Sequence, residues 1–479
     1  MKKITKFLML STLDLLIGMI FILTLSKIVN YDIWWHLKTG ELICNKLAIP
    51  KIDPYSFTAL GKGWIAHEWL SEVIFYSLYQ SFGLNFLIYF KALLIAITFL
   101  LLGQLLLREG LNFLSVLGLV GLAVIISSNS FIIRPHIFSL LFFLLYLSKL
   151  EEFKHLYLLP LLMIIWVNVH GGFVIGLMTS GAYLVATTIS YLLYKEKESL
   201  LKLKKLAIIT LLTTLACLAN PWGPKMLIFP FQLVSTSLSH IAEWQSPNFH
   251  VHPYYEFGIF LAIGALVLRK GRLHLPYLLL FMLFLHFSLQ SVRHLSLFAV
   301  SMVLFVGDSL KRFTTPRLER MTHFERLFSS HFLLTLVLVG VGLVYLLPGH
   351  NGKGILDLDP GYDAKKYPVK AVEFLRESNL KDERIFNLYH WGGYLIFNLY
   401  PKHKVFIDGR IDMYGEEIFK EFQKVYKAHD GWREVLKKYK VKVVLIDRKA
   451  PLAAVLKETS DWSEIFSDED SIIFKLEEK

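Results

Sequence analysis

The chain has 479 residues, of which 54% are hydrophobic, 14% aromatic and 19% charged, with a mean hydropathy of +0.48. Soluble domains carry roughly 25% charged residues, so this composition excludes a soluble enzyme, a disordered chain and, with two cysteines, a disulfide scaffold. The net charge of +12 invites a nucleic-acid reading, but the tail from Gly349 to Lys479 is neutral, with 23 basic and 23 acidic residues. The whole excess sits in the apolar part, where Lys and Arg set topology. What remains is a polytopic membrane protein whose partner is the lipid bilayer, with no nucleic acid.

An apolar helix needs about 20 residues to cross the hydrocarbon core. The apolar runs read as about eleven spans, roughly 7–29, 84–107, 111–133, 135–149, 156–169, 172–194, 206–219, 256–268, 275–290, 293–309 and 331–347. No small-residue cleavage site follows the first, so it is expected to anchor the chain. With the N-terminus in the cytoplasm, the inner loops collect 19 of the 28 basic residues of this part. An odd number of spans then carries the tail outside. The expectation is a multi-pass protein of the cytoplasmic (inner) membrane with an exoplasmic C-terminal domain.

The same topology places Trp34, Trp35, Trp64, Trp69, Trp166, Trp222 and Trp244 at the outer side, which suggests a built surface there. The inner loops read as Lys-rich and plain. The outer loops hold Asp32, His36, Asp53, His67, Glu68, Arg134, His136, His170, Glu243, Arg293 and His294. The outer face is the working face.

The first outer loop, about residues 30–83, is far longer than a connection needs, and loops of that length are usually functional. Ile33 to Lys46 has helical spacing, Pro50, Pro54, Gly61 and Gly63 break the middle, and Trp64 to Gln80 reads as a surface amphipathic helix. Asp32 stands first past the membrane, where a carboxylate costs desolvation unless paired or used. It also suits a helix N-cap, a role compatible with chemistry. Asp53 before Pro54 suits a turn equally well. His67 and Glu68, adjacent on the expected helix, would not face each other.

Here a resemblance enters. D-x-W-W-H-L-K at 32–38, I-P-x-x-D-P-Y-S-F at 49–57 and W-I-x-H-E-W-L at 64–70 resemble an uncharacterised group of bacterial membrane proteins. That group is similar to the GT-C superfamily of polyprenyl-phosphate-dependent glycosyltransferases and, distantly, to oligosaccharyltransferase catalytic subunits. R-P-H at 134–136, N-V-H-G-G-F at 168–173, N-P-W-G at 220–223, E-W-Q-S-P at 243–247 and R-H-L at 293–295 agree. The resemblance implies a mainly α, GT-C-like helical bundle over residues 1–348. It implies sugar transfer from a polyprenyl-phosphate donor to an acceptor of unnamed chemistry at the outer face. It also implies a divalent metal, Mg or Mn, but Ser128 to His136, where oligosaccharyltransferases carry a second acidic motif, has no acid. The metal ligands stay unassigned.

Such a transfer needs a general base on the acceptor and cations on the leaving phosphate. Asp32 is the first choice of base, with Glu68 and Asp53 behind it. Arg134 and Arg293 suit phosphate because a guanidinium is a planar fork, although Arg134 at a helix end also suits snorkelling. His36, His67, His136, His170, Glu243 and His294 complete the substrate-binding candidates. Cys44 and Cys217 read as free thiols. The alternative class is a non-catalytic envelope-assembly or scaffolding protein, and a transporter comes third.

After Pro348 the composition shifts, marking a soluble α/β domain over 349–479. Lys366 to Ser378, Gly392 to Leu399, 414–427 and 430–439 read as helices. Arg384 to Leu388, Val405 to Asp408 and Val441 to Ile446 read as strands, followed by a terminal hairpin. N-L-Y-H-W-G-G-Y-L at 387–395 distantly resembles the W-W-D-Y-G block of oligosaccharyltransferases, with His390 and the glycines replacing its acid. Asp408 and Arg410 suit acceptor binding or an internal ion pair. A tail of this kind, tethered by a short Gly-containing linker, would act as a lid over the first loop or hang free.

Overall fold

The computed structural model describes residues 18–195, 197–235, 242–269, 271–314, 361–380 and 383–477. The expected span at 331–347, residues 7–17 of the first span and the linker after Pro348 lie outside the described residues. The architecture is mainly helical with one small C-terminal sheet. Two compact units emerge, and they cut across chain order. A helical unit holds Met1–Lys27, Ile88–Leu227 and Leu238–Pro360; a loop–tail unit holds Ile28–Leu87, Ile228–Ser237 and Gly361–Lys479.

Apolar runs make the helices α3 (Leu84–Arg108), α4 (Phe113–Ser127), α5 (His136–Glu152), α6 (Leu158–Val169), α7 (Val174–Tyr194), α8 (Lys197–Ala216), α9 (Lys225–Ser235), α10 (Pro253–Leu268), α11 (Leu275–Gln290) and α12 (Leu295–Thr314). Among the described residues three stretches are long and apolar enough to cross a membrane: Leu84–Arg108, Gly171–Tyr194 and Val292–Lys311. Four more apolar helices are shorter, about the lengths of buried or tilted elements. Asn112 caps the start of α4 by accepting from Ser115 N at 2.8 Å.

One end of these helices is not plain. Arg269 pairs with Asp308 at 2.5 Å, and Lys311 pairs with Asp308 at 2.7 Å and Glu109 at 3.0 Å. Glu109, just past the end of α3, and Asp308 of α12 answer the cations expected to mark inner loops. The Lys311–Glu109 pair is not visible in the sequence because its partners lie 202 residues apart.

In the loop–tail unit, α1 (Ile33–Lys46) forms as its spacing predicts, packed on α2 (Trp69–Phe82). Gly40 allows the crossing, since a Cβ there would stand 2.2 Å from the Glu72 carbonyl oxygen. The helix expected from Trp64 starts only at Trp69, because Trp64 N and Lys62 O are spent closing the loop onto Lys51 and Asp53. The tail adds α13 (Val369–Glu377), β1 (Arg384–Asn387), α14 (Gly392–Leu399), α15 (Ile411–Tyr426), α16 (Trp432–Lys438), β2 (Val441–Asp447), α17 (Pro451–Lys457), β3 (Trp462–Ser467) and β4 (Ser471–Leu476). The sheet order is β1-β2-β4-β3, parallel between β1 and β2 and antiparallel in the other pairs. Its apolar core includes Ile385, Phe386, Val444, Leu445, Ile473 and Phe474, all buried.

Val405 to Asp408, expected as a strand, makes only isolated bridges, to Ser56 and Ile385. Its polar groups go elsewhere. Val405 N donates to Tyr55 O at 3.0 Å, Phe57 N to Val405 O at 3.1 Å, and the Asn387 amide clasps Phe406 N and Ile407 O, both at 2.8 Å. The first loop has taken the place of a neighbouring strand.

Candidate active site

The structure brings seven of the sequence candidates together in the loop–tail unit: Asp32, His36, Asp53, His67, Glu68, Asp408 and Arg410. Asp32 occupies the N-cap position of α1 but makes no side-chain cap hydrogen bond. It is half-buried, and it lies against the tail: a Cβ on Gly409 would meet Asp32 Oδ1 at 2.1 Å and Trp35 Nε1 at 3.3 Å. Gly393 is pressed in the same way on the Tyr31 carbonyl oxygen, at 2.7 Å. His390 stacks on Tyr31 with ring centroids 5.0 Å apart. Burial lowers the pKa of that imidazole, and the Asp32 charge works against the shift. The tail motifs at 387–395 and 405–415 therefore frame the first acid of the loop.

Gly409 tests this frame. Gly409→Ala should displace the Asp32 carboxylate, because the new methyl would fall on Asp32 Oδ1 with Trp35 Nε1 beside it. Overpacking of this kind costs about 1–3 kcal/mol. A variant with unchanged thermal unfolding and unchanged protease resistance of the tail would contradict the contact.

Asp53 is fully engaged. It accepts from Tyr55 N at 3.1 Å and Ser56 N at 3.0 Å, which makes it a turn former, and its Oδ1 stands 2.9 Å from Arg410 Nη1. Arg410, 2% exposed, also reaches Asp408 through Nε at 2.8 Å and Nη2 at 2.6 Å. Its guanidinium lies 4.6 Å from the Trp64 ring centre and 4.9 Å from that of Tyr55. Tyr414 Oη donates to Asp408 Oδ2 at 2.6 Å, and Lys62 Nζ donates to Tyr414 O at 3.0 Å. Burial opposes the charged guanidinium, but Asp408 and Asp53 outweigh it and raise its pKa. Of the two roles open for Asp408 and Arg410, the geometry is that of an internal ion pair, extended to the first loop.

Behind Asp32, His36 sits between two acids: its Nδ1 is 3.3 Å from Glu72 Oε1 and its Nε2 3.9 Å from Glu68 Oε2. Glu68 also lies 3.7 Å from His67. That pairing corrects the expectation that the two would not face each other. Both precede the helix, and Glu68 has non-helical φ −105° and ψ 15°, so the helical rule does not govern them. Burial and the Glu68 charge push Glu72 well above the usual carboxylate range, against the pull of Arg410. Glu72 was missed, although it shares the apolar face of α2 with Phe75, where a charge is itself a signal.

Four of the seven tryptophans are core, while Trp69, Trp222 and Trp244 are half-buried. Trp34, Trp35, Trp64 and Trp166 are buried, and Trp34 packs within 5.5 Å of Tyr362, Tyr367, Tyr394 and Phe397. Aromatic content alone cannot separate an interface belt from the interior of a compact unit. Cys44 and Cys217 are free thiols.

In the helical unit a second set converges. Arg134 Nη1 lies 2.6 Å from Glu243 Oε2, and Arg293 Nη1 lies 3.5 Å from Glu243 Oε1 and 4.9 Å over the Trp244 ring. Burial would raise the Glu243 carboxyl, but the two arginines override it and hold it at about 2. Two arginines therefore share one carboxylate. The nearby histidines bond to backbone: His136 Nε2 to Ser130 O at 2.7 Å and His294 Nδ1 to Phe287 O at 3.3 Å. His170 caps the turn at Gly171–Phe173 by accepting from Gly172 N, with Ser139 Oγ 2.7 Å away.

Among the described residues no three His, Cys, Asp or Glu side chains form a set that could hold a metal ion. Arg410 fills the space between Asp53 and Asp408, where oxygens would otherwise face a cation. These residues do not fit a hard divalent ion, which wants several oxygen ligands.

With this geometry in hand, the comparisons with solved structures are specific. The Archaeoglobus fulgidus oligosaccharyltransferase tethered to an acceptor peptide aligns with a TM-score of 0.58 at 13% identity, covering 100% of this chain and 75% of that one. Its apo form aligns at 0.59 and 12%, covering 92% and 69%. The same archaeal enzyme, AglB, with an inhibitory peptide and a dolichol-phosphate aligns at 0.59 and 12%, covering 92% and 70%. The chain has an oligosaccharyltransferase-like fold. No protein-family model and no curated protein matches it.

Proposed function

We propose that this protein is a GT-C-type glycosyltransferase of the cytoplasmic membrane, with its N-terminus in the cytoplasm and its tail outside. It transfers a sugar from a polyprenyl-phosphate donor to an acceptor at the outer face. The observation that carries this reading is Asp32: a half-buried carboxylate, not spent on capping, seated on Gly409 of the tail. The fold likeness supports it, since the archaeal neighbour was solved with a dolichol-phosphate and with peptides.

Asp32 takes the proton of the acceptor hydroxyl as its oxygen forms a bond to the anomeric carbon. The bond from that carbon to the phosphate oxygen breaks, and the polyprenyl phosphate leaves with the electron pair. In the helical unit, Arg134 and Arg293, held together on Glu243, suit a phosphate group because a guanidinium is a planar fork. Glu68 and His36 stand behind the base and hold α1 against α2. Asp53, Asp408 and Arg410 fasten the tail segment that supports Asp32.

The test is the lipid pool. A deletion strain should accumulate a sugar-bearing polyprenyl phosphate, seen by mass spectrometry, and wild-type protein should clear it. A lipid profile identical to the parent would count against a lipid-linked donor.

A further inference from the structure

Helix α3 carries a cation that the sequence reading passed over. Tyr89 and Leu93 are exposed on one face, 43% and 48%, while Lys91 between them is 1% exposed and turned into the helical unit. Its ammonium donates to Ser26 Oγ at 2.8 Å. An ammonium has three N–H donors, and among the described residues no carboxylate pairs with this one. The other deeply buried cations are answered: Arg410 by Asp53 and Asp408, Arg269 by Asp308. A charge buried without a counter-ion is costly, and in apolar spans such residues mark ligand paths.

We propose that Lys91, with Ser26, is a binding site for the phosphate of an isoprenoid phosphate. The inference rests on the reading above and adds a phosphate-holding residue to it. A compact ammonium beside a hydroxyl suits phosphate as a point charge with an added donor. The surroundings select the rest of the ligand: Lys91 lies in a helix of 25 apolar-rich residues, so its anion arrives most readily on a hydrocarbon chain. The neighbouring Phe90 packs 5.9 Å from Phe138, two residues beyond His136 and within a turn of Arg134, so this cation belongs to the same end of the helices as the arginine pair.

The experiment measures binding of a fluorescent farnesyl phosphate to the purified full-length protein, with farnesol and inorganic phosphate as competitors. Lys91→Met should weaken binding on the order of tenfold or more, the scale of a lost charged hydrogen bond. Lys91→Arg should retain most of it, and farnesol should not compete. Competition by inorganic phosphate at equal concentration would support a site for free phosphate ion over one for the lipid. Methionine is close to isosteric and removes a buried charge, so thermal unfolding should not fall. If Lys91→Met binds as tightly as wild type, the site is overturned while the donor reading stands. If wild type binds neither phosphate, the site is overturned whatever the lipid pool of the deletion strain shows.

Discussion

Asp32→Asn should abolish sugar transfer while leaving the protein inserted and folded. The separation is clean for three reasons. The Asp32 side chain makes no cap hydrogen bond, so α1 does not depend on its charge to start. It is isosteric, so the contact with Gly409 is preserved. It cannot accept a proton at neutral pH, so only the basic function is lost. General-base catalysis contributes about 10²- to 10⁴-fold, and the loss should appear in turnover of the lipid-linked donor with little change in donor binding. A correctly inserted variant with full activity would remove Asp32 as the base. Glu68, 12% exposed and bracketed by His36 and His67, would then be next to test.

Arg410→Ala carries the largest expected loss of stability. It leaves the Asp53 and Asp408 carboxylates buried with their cation gone, and it empties the space between the Trp64 and Tyr55 rings. Breaking a buried pair in this way costs about 3–5 kcal/mol. The Asp53 contact has ion-pair distance without hydrogen-bond geometry at Nη1, so the Asp408 arm should dominate. Thermal unfolding in detergent should fall sharply, and proteolysis should release the tail first. Adding Asp53→Asn to Arg410→Ala should recover part of the loss, because one of the two orphaned charges is neutralised. A drop equivalent to less than about 1 kcal/mol would mean that water reaches the cluster and that the clamp between loop and tail is weak.

Much was legible in the residues alone. The apolar runs specify helices, and the alternation after Pro348 specifies a small α/β sheet, because burial pattern and turn chemistry are local. Asp32 stood out because an acid directly after an apolar run is costly. The terminal hairpin and β2 were readable from continuous β-branched stretches.

What only the tertiary structure decided is the company these residues keep. Asp53 and Arg410 are 357 positions apart, yet they share an ion pair. Arg134, Glu243 and Arg293 come from three separate turns. Periodicity cannot show that residues 405–408 give their hydrogen bonds to the first loop instead of a strand, since the choice depends on which edge is vacant. Glycines carry the same lesson: Gly409 and Gly393 look like flexible turn residues in a sequence, but they are small because Asp32 and Tyr31 occupy the space. Sequence dictates local preference and the cost of each charge; only the folded chain decides which distant group meets that cost.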